Sequence, residues 1–218
     1  MSLRLVLMLA LTLVPIPFAW GAAPASVEQL ASDYRYCTTC HGANGNGNVA
    51  IQAPSLAGIE PWYLQSQLGV YREAHRGLDH TKDATGSEMR SVAREIGPER
   101  LAAIAHYVSQ FRHEPQAPTV TGTAAAGKSP YAAHCAACHG RRAEGNQALL
   151  APSLARLNDW YIVSAYNKYR DGHRGTDQAF TPGVAMRAAA AATPPDLRLE
   201  DIARYVNTLQ PAAKRSKP

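Results

Sequence analysis

The sequence repeats itself. Sliding the 218 residues along themselves by 98 positions places Cys37-Thr38-Thr39-Cys40-His41-Gly42 on Cys135-Ala136-Ala137-Cys138-His139-Gly140. The same shift superposes Ala53-Pro54-Ser55-Leu56-Ala57 on Ala151-Pro152-Ser153-Leu154-Ala155, Trp62-Tyr63 on Trp160-Tyr161, and His75-Arg76-Gly77 on His173-Arg174-Gly175. From Cys37 to Asp79, 21 of 43 positions are identical. Met89 meets Met186 after a shift of one residue, and Tyr107-Val108 meets Tyr205-Val206 at the original offset. Two copies specify tandem domains, because a solenoid needs at least three repeats to bury its faces. The domains are read as 24–113 and 128–210, with 114–127 as a Pro-, Thr- and Ala-rich linker and 211–218 as a short basic tail.

Each copy reads as all-α. Leu64, Leu68 and Tyr71 recur at helical spacing, as do Leu101, Ile104, Ala105, Val108 and Phe111. Leu199, Ile202, Ala203, Val206 and Leu209 repeat the second stripe, and Pro98 suits a first helical turn. Further helices are expected to lead into each cysteine pair, over 27–37 and 128–138. No stretch alternates with period two, and the connections are rich in Gly, Asn and Pro. Small, loop-rich domains of this size need a staple or a large group inside them.

The cysteines name that group. Cys-x-x-Cys-His is the attachment signature of c-type haem. Two thiols one helical turn apart add to the vinyl groups of a porphyrin edge, and the adjoining His lies beneath the ring. On this reading Cys37, Cys40, Cys135 and Cys138 bind two covalently attached haem c groups, with His41 and His139 on iron. A thioredoxin-like pair would need an α/β context, and one four-cysteine zinc site would leave both histidines unexplained. Plain disulfides do not require a His after the second Cys, twice. Beyond the first 23 residues the chain has two methionines, Met89 and Met186, one per copy and in register. They are the candidates for the sixth ligand, which suits an electron carrier of raised potential. His75 and His173, also duplicated, are the rivals. His80, His106, His113 and His134 are unduplicated and read as solvated or packing residues.

The duplicated loop prolines, Pro54 and Pro152, lack an N–H but keep a carbonyl, a candidate acceptor for the ligating histidine's other ring N–H. The duplicated Arg72, Arg76, Arg170 and Arg174 are candidate partners of haem propionates, since guanidinium matches carboxylate. The alternative for each is a solvated helix end. Trp62, Trp160, Tyr63, Tyr161, Tyr107 and Tyr205 line the pocket or a helix–helix contact.

Residues 1–23 read as a signal peptide: Arg4, an apolar core from Leu5 to Val14, then Pro15, Pro17 and Gly21-Ala22-Ala23. That core is too short for an ordinary span, and an uncleaved anchor is the alternative. The remainder should lie outside the cytoplasm. The formal charge of +5 is modest and evenly spread, which argues against a nucleic-acid binder. It falls to +4 once Arg4 leaves with the signal, and four propionates bring the holoprotein nearer neutrality.

The ordered series Cys-x-x-Cys-His-Gly, Gly-Asn, Pro-Ser-Leu-Ala, helix, Met and a terminal helix with an aromatic pair, all twice, resembles the dihaem two-domain class I cytochromes c of the cytochrome c4 type. Glu28 to Leu209 carry the resemblance. It implies proximal His41 and His139, distal Met89 and Met186, and single-electron transfer without bond chemistry at the protein. It also implies a periplasmic carrier between a quinol-oxidising complex and a terminal oxidase or periplasmic reductase, touching membrane only through partners or an anchor. The alternatives are a haem enzyme (a dihaem peroxidase or thiosulfate-oxidising cytochrome) and a dedicated subunit of a membrane respiratory complex. The second copy departs from the first at Arg156 for Gly58, at Arg141-Arg142 for Ala43-Asn44, and in the run Ala188–Ala192.

Overall fold

The computed structural model describes residues 26–211. Residues 1–23, read above as a signal peptide, and all of the basic tail but its first residue lie outside them. Among the described residues every regular element is helical, the exceptions being two isolated β-bridges. The first copy comprises α1 (Val27–His41), α2 (Pro61–Arg72), α3 (Ala84–Arg94) and α4 (Pro98–Ser109). The second comprises α5 (Ala124–His134), α6 (Ala136–His139), α7 (Asp159–Arg170), α8 (Thr181–Ala191) and α9 (Leu199–Thr208). Packing repeats with the sequence. In the first copy α1 and α2 lie on α4 and α3 lies on α2; in the second α5 and α7 lie on α9 and α8 lies on α7.

The helices start where local chemistry favours it. Ser26 accepts from the Gln29 N–H and caps α1, and proline opens α2 and α4. Leu101, Ile104, Ala105 and Val108 on α4, and Leu199, Ile202, Ala203 and Val206 on α9, form the buried stripes. Gly127 lets α5 press onto α9: a Cβ there would lie 1.9 Å from the Asp201 carbonyl oxygen. Tyr107 and Phe111 stack edge-on against Tyr34 of α1, with centroids 6.3 and 5.0 Å away. Tyr131 meets Tyr205 at 5.5 Å in the second copy. The duplicated aromatic of the last helix therefore serves a helix crossing.

Three features differ from the sequence reading. The helix into the first cysteine pair does not stop at Cys37 but runs through His41. Its counterpart breaks at Cys135, between α5 and α6. The cause is one extra residue: Tyr34 precedes its cysteine by three positions and Tyr131 by four. Both hydroxyls nevertheless donate to the glycine carbonyl after the motif, Gly42 at 2.8 Å and Gly140 at 2.7 Å. The break absorbs the insertion. Second, both methionines sit on helices, α3 and α8, for which the sequence reading placed no helix. Asp83 caps α3 by accepting from the Gly86 N–H at 3.0 Å. Third, α5 begins at Ala124, inside the 114–127 segment. The rest of that segment is tied down by buried Asp159, which accepts from Thr119 N, Thr119 Oγ1 and Val120 N at 2.7, 2.6 and 3.1 Å.

The copies face one another through polar contacts. Lys168 of α7 donates to Asp83 at 2.6 Å and to Thr85 at 3.2 Å across the interface. His75 meets Asp177 at 2.6 Å. Gly58 and Arg156 are equivalent positions and touch: a Cβ on Gly58 would lie 2.8 Å from Arg156 Nη1.

Candidate haem sites

The Cys-x-x-Cys-His segment occupies the end of a helix in both copies, which brings its side chains onto one turn. His41 and His139 are buried, and each donates its Nδ1–H to a carbonyl, Pro54 and Pro152 respectively, at 2.8 Å. Nδ1 thus carries the proton and Nε2 keeps its lone pair for a metal. Burial holds both imidazoles below the usual histidine value, the carbonyl bond opposing it in part. They are neutral, as metal binding requires.

The loop that presents each carbonyl is closed by a small bridge. Asn48 exchanges backbone hydrogen bonds with Ala53 at 2.7 and 3.0 Å, and Asn146 with Ala151 at the same distances. Gly47 and Gly145 make this possible. Both hold φ near +80°, and a Cβ would lie 2.6 Å from the Ala53 carbonyl oxygen or 2.5 Å from the Ser153 nitrogen.

In the second copy a cavity of about 370 Å³ brings Cys135, Cys138, His139 and Met186 to one apolar space. Trp62 and Tyr63 of the first copy help to wall it. The first copy carries the equivalent groups at equivalent places, with Cys37, Cys40 and His41 on α1 and Met89 on α3. None of the four cysteines is in a disulfide.

Between the copies Arg76 and Arg174 are buried side by side. Both donate to Gln67 Oε1, at 3.0 and 3.1 Å. Each also lies over its own copy's tyrosine, Tyr71 at 4.5 Å and Tyr169 at 4.3 Å. Arg76 Nε has no hydrogen-bond partner, and Asp83 at 3.8 Å is its nearest carboxylate. Two buried guanidiniums so short of anions fit the carboxylates of a porphyrin. Arg72 instead donates to the Arg94 and Ile96 carbonyls at the end of α3, and exposed Arg170 pairs with Asp171. Neither joins the cluster. His75 has Asp177 on Nδ1 and Glu73 at 3.4 Å from Nε2. His113 is buried, while His80, His106 and His134 are exposed.

A family model for cytochrome c matches residues 28–112 and again 124–210. The chain belongs to the cytochrome c family. Its two Cys-x-x-Cys-His motifs attach two covalent haem c groups, and the protein is a tandem dihaem cytochrome of electron-transfer type. A relative from Thiomonas intermedia, a thiosulfate dehydrogenase electron acceptor, is 30% identical over 81% of this chain and 79% of its own length. The solved thiosulfate dehydrogenase (TsdBA) from Marichromatium purpuratum is 27% identical with a TM-score of 0.63, covering 84% of this chain. The present chain spans 38% of that one. Cytochrome c4 of Acidithiobacillus ferrooxidans shares the fold, with a TM-score of 0.63 at 22% identity over 79% of this chain and 98% of its own. No helix among the described residues is long and apolar enough to cross a membrane.

Sequence reasoning missed the tyrosine hydroxyls on Gly42 and Gly140. Tyr131 lies at offset 97 from Tyr34, so a fixed shift of 98 passes it by. It also missed the two residues that open α2 and α7, Glu60 and Asn158, whose side chains leave their own helices uncapped.

Proposed function

We propose that the protein is an exported carrier that takes single electrons from a sulfur-compound dehydrogenase of the thiosulfate-oxidising class. It delivers them in the periplasm to a terminal oxidase or a periplasmic reductase, and it is not itself the enzyme. The observation that carries this reading is the one cavity gathering Cys135, Cys138, His139 and Met186. A thioether and an imidazole that both bound the iron of a haem held there would leave it no open site for a substrate. The likeness to the Thiomonas electron acceptor supports the class of donor.

Each haem supplies a one-electron iron couple when bound. The chain's residues do the rest. Pro54 and Pro152 fix the tautomer and ring plane of His41 and His139 through their carbonyls. Met89 on α3 and Met186 on α8 would supply the second iron ligand of each haem, and His75, with its two ring nitrogens facing the Asp177 and Glu73 carboxylates, is the poorer rival. Arg76 and Arg174 would neutralise haem propionates at the interface, and Trp62 and Tyr63 wall the second site against water.

The oxidised protein should show the near-infrared methionine–iron absorption. Met89→Ala and Met186→Ala should each remove about half of it, as expected for one thioether per haem. Thiosulfate should reduce the protein only when a thiosulfate dehydrogenase is present. Thiosulfate oxidation by the protein alone, or carbon monoxide binding to the unaltered reduced form, would make it an enzyme instead.

A further inference from the structure

Asn158 opens α7 yet does not cap it. Asparagine at that position ordinarily accepts from its own helix. Here its side chain crosses to the other copy, where Oδ1 accepts the buried Ser55 N–H at 2.7 Å. Ser55 N–H and the Pro54 carbonyl belong to one planar, conjugated peptide unit. That carbonyl is the acceptor of His41 Nδ1–H at 2.8 Å. A continuous path therefore runs from Asn158 of the second copy, through one peptide bond of the first, to the His41 ring.

Hydrogen bonds in series polarise one another, most where water is excluded. An acceptor on Ser55 N–H draws charge along the amide and makes the Pro54 oxygen a stronger acceptor. The stronger the Nδ1–H bond, the more basic the imidazole becomes as a metal ligand. The equivalent residue in the first copy is Glu60, which also leaves its own helix uncapped. Burial raises the Glu60 carboxyl, while its own backbone N–H, the Ser153 N–H and Arg156 act to lower it. Ser153 follows Pro152 as Ser55 follows Pro54. The two copies thus face each other's histidine-orienting loops, one with a neutral amide and one with a carboxyl group.

We propose that Asn158 is a positioning residue for His41, acting through the Pro54–Ser55 peptide, so that the second domain sets the electron-donating strength of the first domain's proximal ligand. This rests on the reading of His41 as an iron ligand. The relay acts on one haem and so makes the two irons inequivalent.

The test compares Asn158→Ala and Asn158→Asp with the unaltered holoprotein, by potentiometric titration and by proton NMR of the reduced form. Met89→Ala identifies which redox step belongs to the first copy. Asn158→Ala should move that step to higher potential and shift the His41 Nδ1–H resonance upfield. Asn158→Asp, which keeps the acceptor and strengthens it, should move the same step down and the resonance downfield. The other step should stay in place in both variants. If both variants change only the melting temperature, Asn158 is a packing residue and the relay is overturned. A resonance that moves while neither redox step does would overturn the ligand reading for His41 and take the relay with it.

Discussion

At the scale of single residues, the proximal histidines are held by backbone shape as much as by side chains. Gly47 must adopt positive φ while lying against the strand-like turn that ends in Pro54. Gly47→Ala adds a left-handed conformation, roughly 1–2 kcal/mol for an L-residue, to an overpacking penalty of about 1–3 kcal/mol. A thermal melt should therefore fall by at least about 2 kcal/mol in stability terms, and the redox step of the first copy should shift with it. Residues at this scale were legible in the sequence where the chemistry is written in adjacent positions: the two Cys-x-x-Cys-His runs and the prolines repeat verbatim. Asn158 was not legible. Its partner lies 103 positions away, and only the folded interface selects Ser55 N–H over the helix end beside it.

At the scale of elements, the stripes on α2, α4 and α9 were readable because burial enforces a 3.6-residue period. Helix α3 was not, since ATGSEMRSVAR is poor in strong helix formers at its start. It is held by tertiary contacts, above all Asp83 between the Gly86 N–H and Lys168. The segment between the copies was misleading in the same way: its composition suggests slack, but Asp159 anchors it. Burial alone would raise that carboxyl. The hydrogen bonds from Thr119, Val120 and Trp160 outweigh burial and hold it below its ordinary value. A depressed carboxylate stabilises the fold above its unfolded value, and that contribution disappears as pH falls through the folded one. Asp159→Ala should cost about 2–3 kcal/mol at neutral pH, as for loss of hydrogen bonds to a buried charge. The difference between variant and unaltered protein should shrink in acid, as followed by melting temperature from pH 7 to pH 3.

At the scale of the whole molecule, the copies are joined by polar contacts as well as by packing, and one of these titrates. The hydrogen bond to Asp177 raises His75, with burial opposing and Glu73 adding to it. A raised histidine stabilises the folded state fully below its unfolded value and loses that contribution as pH climbs through the folded one. The pair is partly exposed, so its effect on stability should stay under about 1 kcal/mol. The melting temperature should therefore decline slightly between pH 6 and pH 9, and His75→Gln should flatten that slope; an unchanged slope would remove His75 from the interface's pH response. The tandem arrangement itself was plain from the repeat, but not which surfaces meet, because the interface mixes duplicated residues such as Arg76 and Arg174 with positions at which the copies differ. Gly58 and Arg156 illustrate why. A symmetric pair of identical chains must put the same side chain at both ends of such a contact: two glycines leave a gap, and two arginines repel. Within one chain the positions diverge, and bulk on one side answers space on the other. Each half is thereby shaped for its sibling and not for itself, so halves severed at the linker should reunite as mixed pairs while neither pairs with its own kind.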